Sequence, residues 1–179
     1  MATVRGHRYA INKTKYLLDP ELSHLEEVLK RNELTDIRNV LILELALRTG
    51  ARAQEILNVK RADLNAYDST ILIHGVKGSS DREIPLAKGL FTRLMGFAST
   101  SPSEKIFDIS YNRFREIWVL YRPVNKKLHS LRHTFAIRLF KKTKDLRLVQ
   151  LALGHRNITN TMVYADYMYA QSELRKLIL

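Results

Sequence analysis

The chain has 179 residues, of which 45% are hydrophobic and 27% are charged, so it can form one globular domain with a substantial core. The longest apolar run, from about residue 40 to residue 47, is broken by Glu44 and is too short to cross a membrane. No secretory segment follows the N-terminus, which predicts an intracellular, cytoplasmic protein with no membrane partner. The chain contains no cysteine, which excludes disulfides and cysteine-based metal sites.

The charge balance is the most informative bulk property. The chain has 30 Lys and Arg against 18 Asp and Glu, a formal net charge of +12 and a pI near 10.0. A domain with this excess repels itself unless a polyanion binds, and nucleic acid is the commonest polyanion because each neutralised phosphate releases counterions. The charge therefore predicts a nucleic-acid partner, with a protein that is merely basic as the alternative.

The N-terminal part is predicted to be helical after a basic arm. Residues 1–15 carry basic side chains, no acid and no sustained apolar periodicity. A first helix is predicted to begin with Asp19 as its N-cap and Pro20 at its first position. A second helix, rich in Leu and Ile, is predicted from about residue 35 to residue 47, with Gly50 in the left-handed conformation that often ends a helix.

The middle of the chain predicts a β-hairpin. Residues 70–74 and 82–86 are β-prone runs, and the loop between them places Lys77 between Gly75 and Gly78. The other segments have helical patterns, at about residues 53–59, 88–98, 111–121, 130–141, 146–153 and 172–177. The predicted fold class is therefore mainly α with one small antiparallel sheet (α+β).

Two candidate functional residues lie in the first half of the chain. Arg52 is followed three residues later by Glu55, a carboxylate that can orient the guanidinium for bidentate binding of phosphate. A surface ion pair at helical spacing is the alternative. Lys77 lies on a loop from which a flexible side chain can deliver a proton, although lysines at turns are commonly only solvated.

A third candidate segment contains His129, Arg132 and His133. Spacings of three and four residues predict that these side chains share one face of a helix. The histidine spacing suits a metal, but an intervening arginine and the lack of the glutamate of an HExxH motif argue against one. A phosphate is the better ligand for this combination, and a capped basic helix is the alternative.

The fourth segment runs from residue 151 to residue 170. It contains His155 after a Leu-Gly pair and three tyrosines, Tyr164, Tyr167 and Tyr169. Tyr164 lies in a predicted short helical segment that includes residues 158, 162 and 163 and is separate from the one at 172–177. Tyrosines near a C-terminus usually serve in packing, and the residues alone do not single one out as a nucleophile.

Taken together and in this order, the four segments resemble the catalytic domain of the tyrosine recombinases, the phage-integrase and chromosome-dimer-resolution family. TGARAQEIL resembles the first box of the family, LHSLRHTFA its His-x-x-Arg box and LGHRNITNTMVYADY its last box, while the lysine before REIPL resembles its hairpin lysine. The likeness covers about residues 15–179. It implies the DNA breaking-rejoining fold, with an arm or linker remnant at 1–15, a catalytic domain at 16–169 and a C-terminal tail helix at 170–179.

The resemblance also implies a set of catalytic residues: Arg52, Lys77, His129, Arg132, His155 and Tyr164. In that set Tyr164 attacks the scissile DNA phosphate, forms a 3′-phosphotyrosyl link and frees a 5′-hydroxyl. The two arginines hold the non-bridging oxygens. Tyr167 is the second choice of nucleophile, because one helical turn would bring it to the same face.

The remaining roles concern protons and orientation. By resemblance, Lys77 protonates the departing 5′ oxygen, His129 assists proton transfer and His155 hydrogen-bonds the phosphate. Glu55 occupies the family's acidic position, which orients its neighbours. No metal, nucleotide or other cofactor is implied, because the covalent link conserves the bond energy for rejoining.

The resemblance implies double-stranded DNA as the partner, with no small-molecule substrate. In related enzymes the C-terminal tail docks on a neighbouring protomer. This predicts a homo-oligomer, a tetramer, on DNA and allows a monomer in the absence of DNA. Packing of the tail on its own domain is the alternative. The expected function is site-specific recombination. Relaxation like that of a type IB topoisomerase and a non-catalytic DNA-binding regulator are the alternatives. An isolated catalytic domain and a short single-domain recombinase both fit the sequence.

Overall fold

The computed structural model describes residues 10–76 and 78–178, apart from the side chain of Glu173. Its elements are α1 (Asp19–Arg31), α2 (Ile37–Thr49), α3 (Ala53–Leu57), β1 (Leu64–Asn65), β2 (Thr70–Ile73), β3 (Arg82–Pro85), α4 (Lys88–Thr100), α5 (Tyr111–Tyr121), α6 (Ser130–Thr143), α7 (Leu146–Leu153) and α8 (Thr159–Ile178). The prediction of a mainly α fold with a small antiparallel sheet is confirmed. Most of the predicted arm, residues 1–9, and Lys77 lie outside the described residues. No helix in the described ranges is long and apolar enough to cross a membrane.

The prediction of Asp19 as the N-cap of α1 is wrong by one residue. Leu18 occupies that position, and its backbone N–H donates to Oε2 of Glu21 over 2.8 Å. Because Glu21 already satisfies the donor of the cap residue, Asp19 and Pro20 become the first two helical residues. The carboxylate of Asp19 then lies in the first turn, where the helix dipole favours negative charge.

The C-terminal end of the chain is one helix where the sequence predicted two segments. Helix α8 continues for 20 residues from Thr159 to Ile178 because no glycine or proline interrupts it. Tyr169, Leu174 and Leu177 on its C-terminal half are exposed. The described part of the chain therefore leaves apolar side chains of this helix end uncovered.

The buried hydrophobic residues form two clusters that meet at α6. The larger cluster contains most of α2, one face of each of α1, α4 and α5, and the inner face of the sheet. The smaller cluster joins α6, α7 and α8 to Ile11 and Tyr16. Helix α6 contributes Leu131 to the larger cluster and Ala136 and Ile137 to the smaller one. The start of this helix, with His129 as its N-cap and Arg132 in its first turn, therefore lies at the boundary between the two.

The sheet positions the loop that carries Lys77. Strand β2 pairs antiparallel with β3, with Thr70 opposite Pro85 and Ile73 opposite Arg82, and also with the two-residue strand β1, which the sequence did not predict. At the end of the hairpin loop, the backbone N–H of Ser80 donates to the carbonyl of Gly154 over 2.9 Å. This bond joins the sheet to the C-terminal end of α7.

Two helices end at glycines whose close surroundings leave no room for the Cβ of another residue. Gly50, after α2, has a φ of 60° and Gly154, after α7, has a φ of 69°, a left-handed conformation that costs other residues energy. A Cβ on Gly50 would clash with the ring of Phe135, and one on Gly154 would lie 2.7 Å from the carbonyl oxygen of Ser80. The predicted glycine ending of α2 is confirmed.

Replacing Gly50 with alanine should lower the free energy of unfolding by about 2 kcal/mol, because the left-handed backbone and the contact with Phe135 both oppose a Cβ. Gly96 is the matched control: it lies exposed within α4, and an added Cβ would meet nothing within 4 Å. Gly96→Ala should stabilise the protein by about 0.5 to 1 kcal/mol. Urea denaturation of the two variants measures this, and equal effects would contradict the explanation.

Candidate active site

Arg132, in the first turn of α6, is held by the ends of two other helices. Its side chain is only 3% exposed. Nη1 donates to the carbonyl of Gly50 over 2.6 Å and Nη2 donates to the carbonyl of Leu153 over 2.9 Å. Both carbonyls lie at helix C-terminal ends, where the helix dipole is negative and favours a cation. These bonds fix both the position and the orientation of the guanidinium.

Glu55, on α3, is a fully buried acceptor for two other arginines. Its Oε2 accepts hydrogen bonds from the backbone N–H of Arg52 over 2.8 Å and from Nη2 of Arg82 over 2.7 Å, and its Oε1 accepts from Nη1 of Arg52 over 3.2 Å. Burial by itself raises the pKa of Glu55, but the bonds from Arg82 and from the Arg52 backbone outweigh burial and lower it. The carboxylate is therefore ionised, and the predicted orientation of Arg52 by Glu55 is present.

The site has more positive than negative charge. Among the described residues, three guanidinium groups, those of Arg52, Arg82 and Arg132, surround the carboxylate of Glu55. Burial, followed by the charge of Arg52, lowers the pKa of Arg132 to about 9. A cavity of about 440 Å³ opens beside the cluster, and Arg52, Arg132 and His129 are among the residues that line it. Surplus cations beside an open cavity favour the binding of an anion.

His155 joins the same network from the turn between α7 and α8. Its Nε2 lies 2.8 Å from Nη2 of Arg132 and its Nδ1 lies 2.8 Å from Oγ1 of the buried Thr161. Because arginine only donates, Nε2 accepts, so the ring proton is on Nδ1 and is donated to Thr161. Burial, followed by the charges of Arg132 and Arg52, lowers the pKa of His155 to about 3. The imidazole is therefore neutral.

Two residues that the sequence did not single out for a role connect the hairpin to this network. The buried hydroxyl of Ser79 accepts from Nη1 of Arg52 over 2.6 Å and donates to the carbonyl of Gly154 over 3.0 Å. Arg82 donates to Glu55 and, through Nε, to the carbonyl of Ala152 over 2.8 Å. The available signal was the position of Arg82 on the inward face of β3, where a charged residue needs a partner.

His129, Arg132 and His133 come close together at the start of α6, as their spacing predicts. His129 precedes the first turn of α6, and Arg132 and His133 extend to different partners. The rings of His129 and His133 meet edge to face with their centroids 4.6 Å apart. Burial, followed by the charges of Arg132 and Arg52, lowers the pKa of His129 to about 4.

The three tyrosines of α8 have different surroundings. Tyr164 is 2% exposed, and its hydroxyl lies 2.9 Å from Nδ1 of His133. The hydroxyl of Tyr167 lies 3.1 Å from that of Tyr16, and the two rings pack edge to face, so Tyr167 packs against the N-terminal segment. Tyr169 is exposed. Tyr164 therefore contacts the His-x-x-Arg segment through His133.

The structure brings together five of the six residues to which the resemblance assigns catalysis. Arg52, Arg132 and His155 belong to one hydrogen-bonded network, and His129 lines the cavity beside it. Tyr164 is one residue removed, behind His133. Lys77 lies outside the described residues, so its position in the site stays a prediction.

Substituting Arg82 with methionine should lower the free energy of unfolding by about 3 kcal/mol or more, because a buried carboxylate loses its closest cation. Arg113→Met is the matched control, since Arg113 pairs with Glu116 over 2.9 Å on the exposed surface of α5. Its loss should be below about 0.5 kcal/mol. Chemical denaturation measures both values, and a loss below about 1 kcal/mol for Arg82→Met would contradict the proposed buried network.

The neutral histidines predict a loss of stability in acid. The pKa of His155 is lowered from 6.5 to about 3 in the folded protein, so below pH 6.5 the unfolded chain binds a proton that the folded protein excludes. This contribution is fully present above about pH 6.5 and is lost as the pH falls towards 3, by at most about 1.4 kcal/mol per pH unit. His155→Gln should flatten the dependence of unfolding free energy on pH in that range, whereas His24→Gln, at an exposed position of α1, should leave it unchanged.

Comparison with known proteins identifies the family of the chain. The model of the family described as "Phage integrase family" matches residues 15–171. Tyrosine recombinase XerA from Pyrococcus horikoshii is 31% identical over 154 residues, which cover 78% of this chain and 54% of the relative. Tyrosine recombinase XerC from Bacillus licheniformis is 33% identical over 173 residues, which cover 84% and 56% of the two chains. The chain thus spans about half the length of these curated relatives.

Solved structures of recombinases have the same fold. The XerH site-specific recombinase bound to a palindromic difH substrate, in a post-cleavage complex, has a TM-score of 0.73 and 26% identity, over 93% of this chain and 54% of its own. The catalytic domain of bacteriophage HP1 integrase has a TM-score of 0.66 and 23% identity, over 93% of this chain and 95% of its own, a likeness of fold. This chain therefore belongs to the phage integrase family and has the fold of the tyrosine recombinase catalytic domains.

Proposed function

We propose that this chain is a site-specific DNA recombinase that cleaves and rejoins DNA strands through a 3′-phosphotyrosyl intermediate on Tyr164. The observation that carries the proposal is the cluster of three arginines around one buried carboxylate, together with the hydrogen bond between the Tyr164 hydroxyl and His133, the residue that follows Arg132. Relatives of the chain are named tyrosine recombinases, and XerH has been solved with a DNA substrate. The net charge of +12 also suits a polyanionic partner.

The arginines are the phosphate clamp of the proposed reaction. Arg132 is fixed by two helix-end carbonyls, and Arg52 is fixed by Glu55 and Ser79, so neither guanidinium needs to reorganise when charge develops on the phosphate. The side chain of Arg52 remains 31% exposed and can reach a phosphate entering from solvent.

Proton transfers complete the proposed mechanism. A bound phosphate would oppose the effect of the arginines on His155, raising its pKa so that the ring can donate to a phosphate oxygen. His129, on the cavity wall, assists proton transfer, and Lys77 protonates the 5′ oxygen. The Tyr164 oxygen forms the new bond to phosphorus as the bond to the 5′ oxygen breaks. Rejoining reverses this exchange, so the proposed reaction uses no metal or nucleotide cofactor.

We propose double-stranded DNA as the partner, in the cytoplasm, and a homo-oligomer, a tetramer, as the assembly on DNA, with a monomer in its absence. The exposed apolar residues Leu174, Leu177 and Ile178 on the last turns of α8 support an assembly in which this tail docks on a neighbouring protomer. In this proposal residues 1–15 are an arm or linker remnant, residues 16–169 are the catalytic domain and residues 170–179 are the C-terminal tail.

The test of the nucleophile uses nicked DNA duplexes with a randomised core, in which the cleaved end diffuses away and traps the covalent complex. Protein linked to DNA is recovered under denaturing conditions and its DNA is sequenced. Tyr164→Phe should reduce this product at least about 1000-fold, because it removes the attacking oxygen. Tyr167→Phe is the matched control and should still form the complex, since Tyr167 bonds to Tyr16.

The other outcomes separate the alternatives. A covalent product that persists in Tyr164→Phe would overturn the assignment of the nucleophile. DNA binding without covalent product on any sequence would favour a non-catalytic DNA-binding regulator. Relaxation of supercoiled plasmid without strand exchange would favour an activity like that of a type IB topoisomerase.

A further inference from the structure

His133 lies outside the set of residues to which the resemblance assigns catalysis, yet it contacts the reacting oxygen of the proposed nucleophile. Its Nδ1 lies 2.9 Å from the Tyr164 hydroxyl, and the two ring centroids are 5.8 Å apart. His133 is 6% exposed, so little solvent competes for this hydrogen bond. The ring of His129, which meets that of His133 edge to face, further limits its movement.

We propose that His133 is a further catalytic residue: Nδ1 accepts the hydrogen bond of the Tyr164 hydroxyl and takes its proton when the tyrosine attacks the scissile phosphate. The proposal rests on the proposed function of Tyr164 and gives that reaction its proton acceptor.

The surroundings of His133 keep its imidazole neutral and therefore able to accept. Burial, followed by the positive charge of its neighbours, lowers the pKa of His133 to about 3. The titratable groups near it include His129, Arg132, Lys15, His155 and the Tyr164 hydroxyl. A neutral imidazole has one unprotonated ring nitrogen, and we assign it to Nδ1, which faces the hydroxyl.

Binding of DNA would activate this base. A scissile phosphate held by Arg52 and Arg132 brings negative charge into a site that otherwise presents cations to His133. Negative charge nearby favours the protonated imidazole and so raises the pKa of His133. The proton acceptor would thus become stronger only when substrate is bound.

The atoms and charges of the step balance. The O–H bond of Tyr164 breaks and its proton moves to Nδ1 of His133, while the oxygen forms a bond to phosphorus. The bond from phosphorus to the 5′ oxygen breaks, and that oxygen takes a proton from Lys77. In rejoining, the 5′-hydroxyl attacks, its proton returns to the lysine, and the imidazolium of His133 returns its proton to the departing tyrosine oxygen.

The test compares two variants of His133 on the nicked duplexes that trap the covalent complex. His133→Asn places an amide near the position of Nδ1 that can accept a hydrogen bond but cannot take a proton, whereas His133→Phe keeps a ring and removes both properties. At saturating DNA and neutral pH, His133→Asn should form the complex about 100-fold more slowly. Its rate should recover as the pH rises, since hydroxide can then take the proton, and His133→Phe should be at least as slow as His133→Asn.

A second substrate identifies the step that is affected. When sulfur replaces the bridging 5′ oxygen, the leaving group departs as a thiolate and needs no proton. This substrate should rescue Lys77→Ala, in which the proposed proton donor is missing, and should leave His133→Asn slow, because the asparagine variant lacks the acceptor. Thermal unfolding and DNA binding of each variant show whether it is folded.

Each outcome decides the proposal. A folded His133→Asn that forms the complex within about threefold of the wild-type rate, or a slow rate that does not change with pH, would leave His133 a packing or positioning residue and overturn its role as proton acceptor. Rescue of His133→Asn by the sulfur substrate would also overturn it. If the wild-type protein forms no complex with any duplex, the proposed function fails as well, and that result is distinct from a failure of the His133 variants alone.

Discussion

The arrangement of this site depends on one buried guanidinium between two helix ends. Arg132 is almost removed from solvent, and the carbonyls of Gly50 and Leu153 replace the water that it loses. The chain changes direction at the left-handed glycine that ends each helix. Arg52 and His155, which follow these two turns, therefore both lie near Arg132. The helix ends that stabilise Arg132 therefore also assemble the site around it.

The unbalanced positive charge of the site favours the binding of an anion. Keeping cations close together and out of water is unfavourable, and one carboxylate, Glu55, only partly offsets this for three arginines. The neighbouring histidines respond by remaining neutral. A bound phosphate would oppose both effects, because its negative charge offsets that of the arginines.

A set of partner residues gives the family motifs their geometry. Ser79 joins Arg52 to the turn after α7, Arg82 holds Glu55, and Thr161 fixes the tautomer of His155. These residues come from β3, the hairpin loop and α8. A substitution in any of them would remove a hydrogen bond from Arg52, Glu55 or His155, and for this reason they determine how well the motifs are aligned.

The sequence by itself determined the helices, the hairpin, the glycine after α2 and, by resemblance, the residues assigned to catalysis, because periodicity, glycine and motif spacing are local properties. It missed β1, which at two residues is too short for a pattern, and it divided α8, because the amphipathic pattern there is weak. Only the tertiary structure decided that Arg82 turns inward to Glu55 and that His133 hydrogen-bonds to Tyr164. The direction of these side chains depends on which elements pack against β3 and α6. Helix α6 contributes to two separate clusters, and no local sequence pattern contains this information.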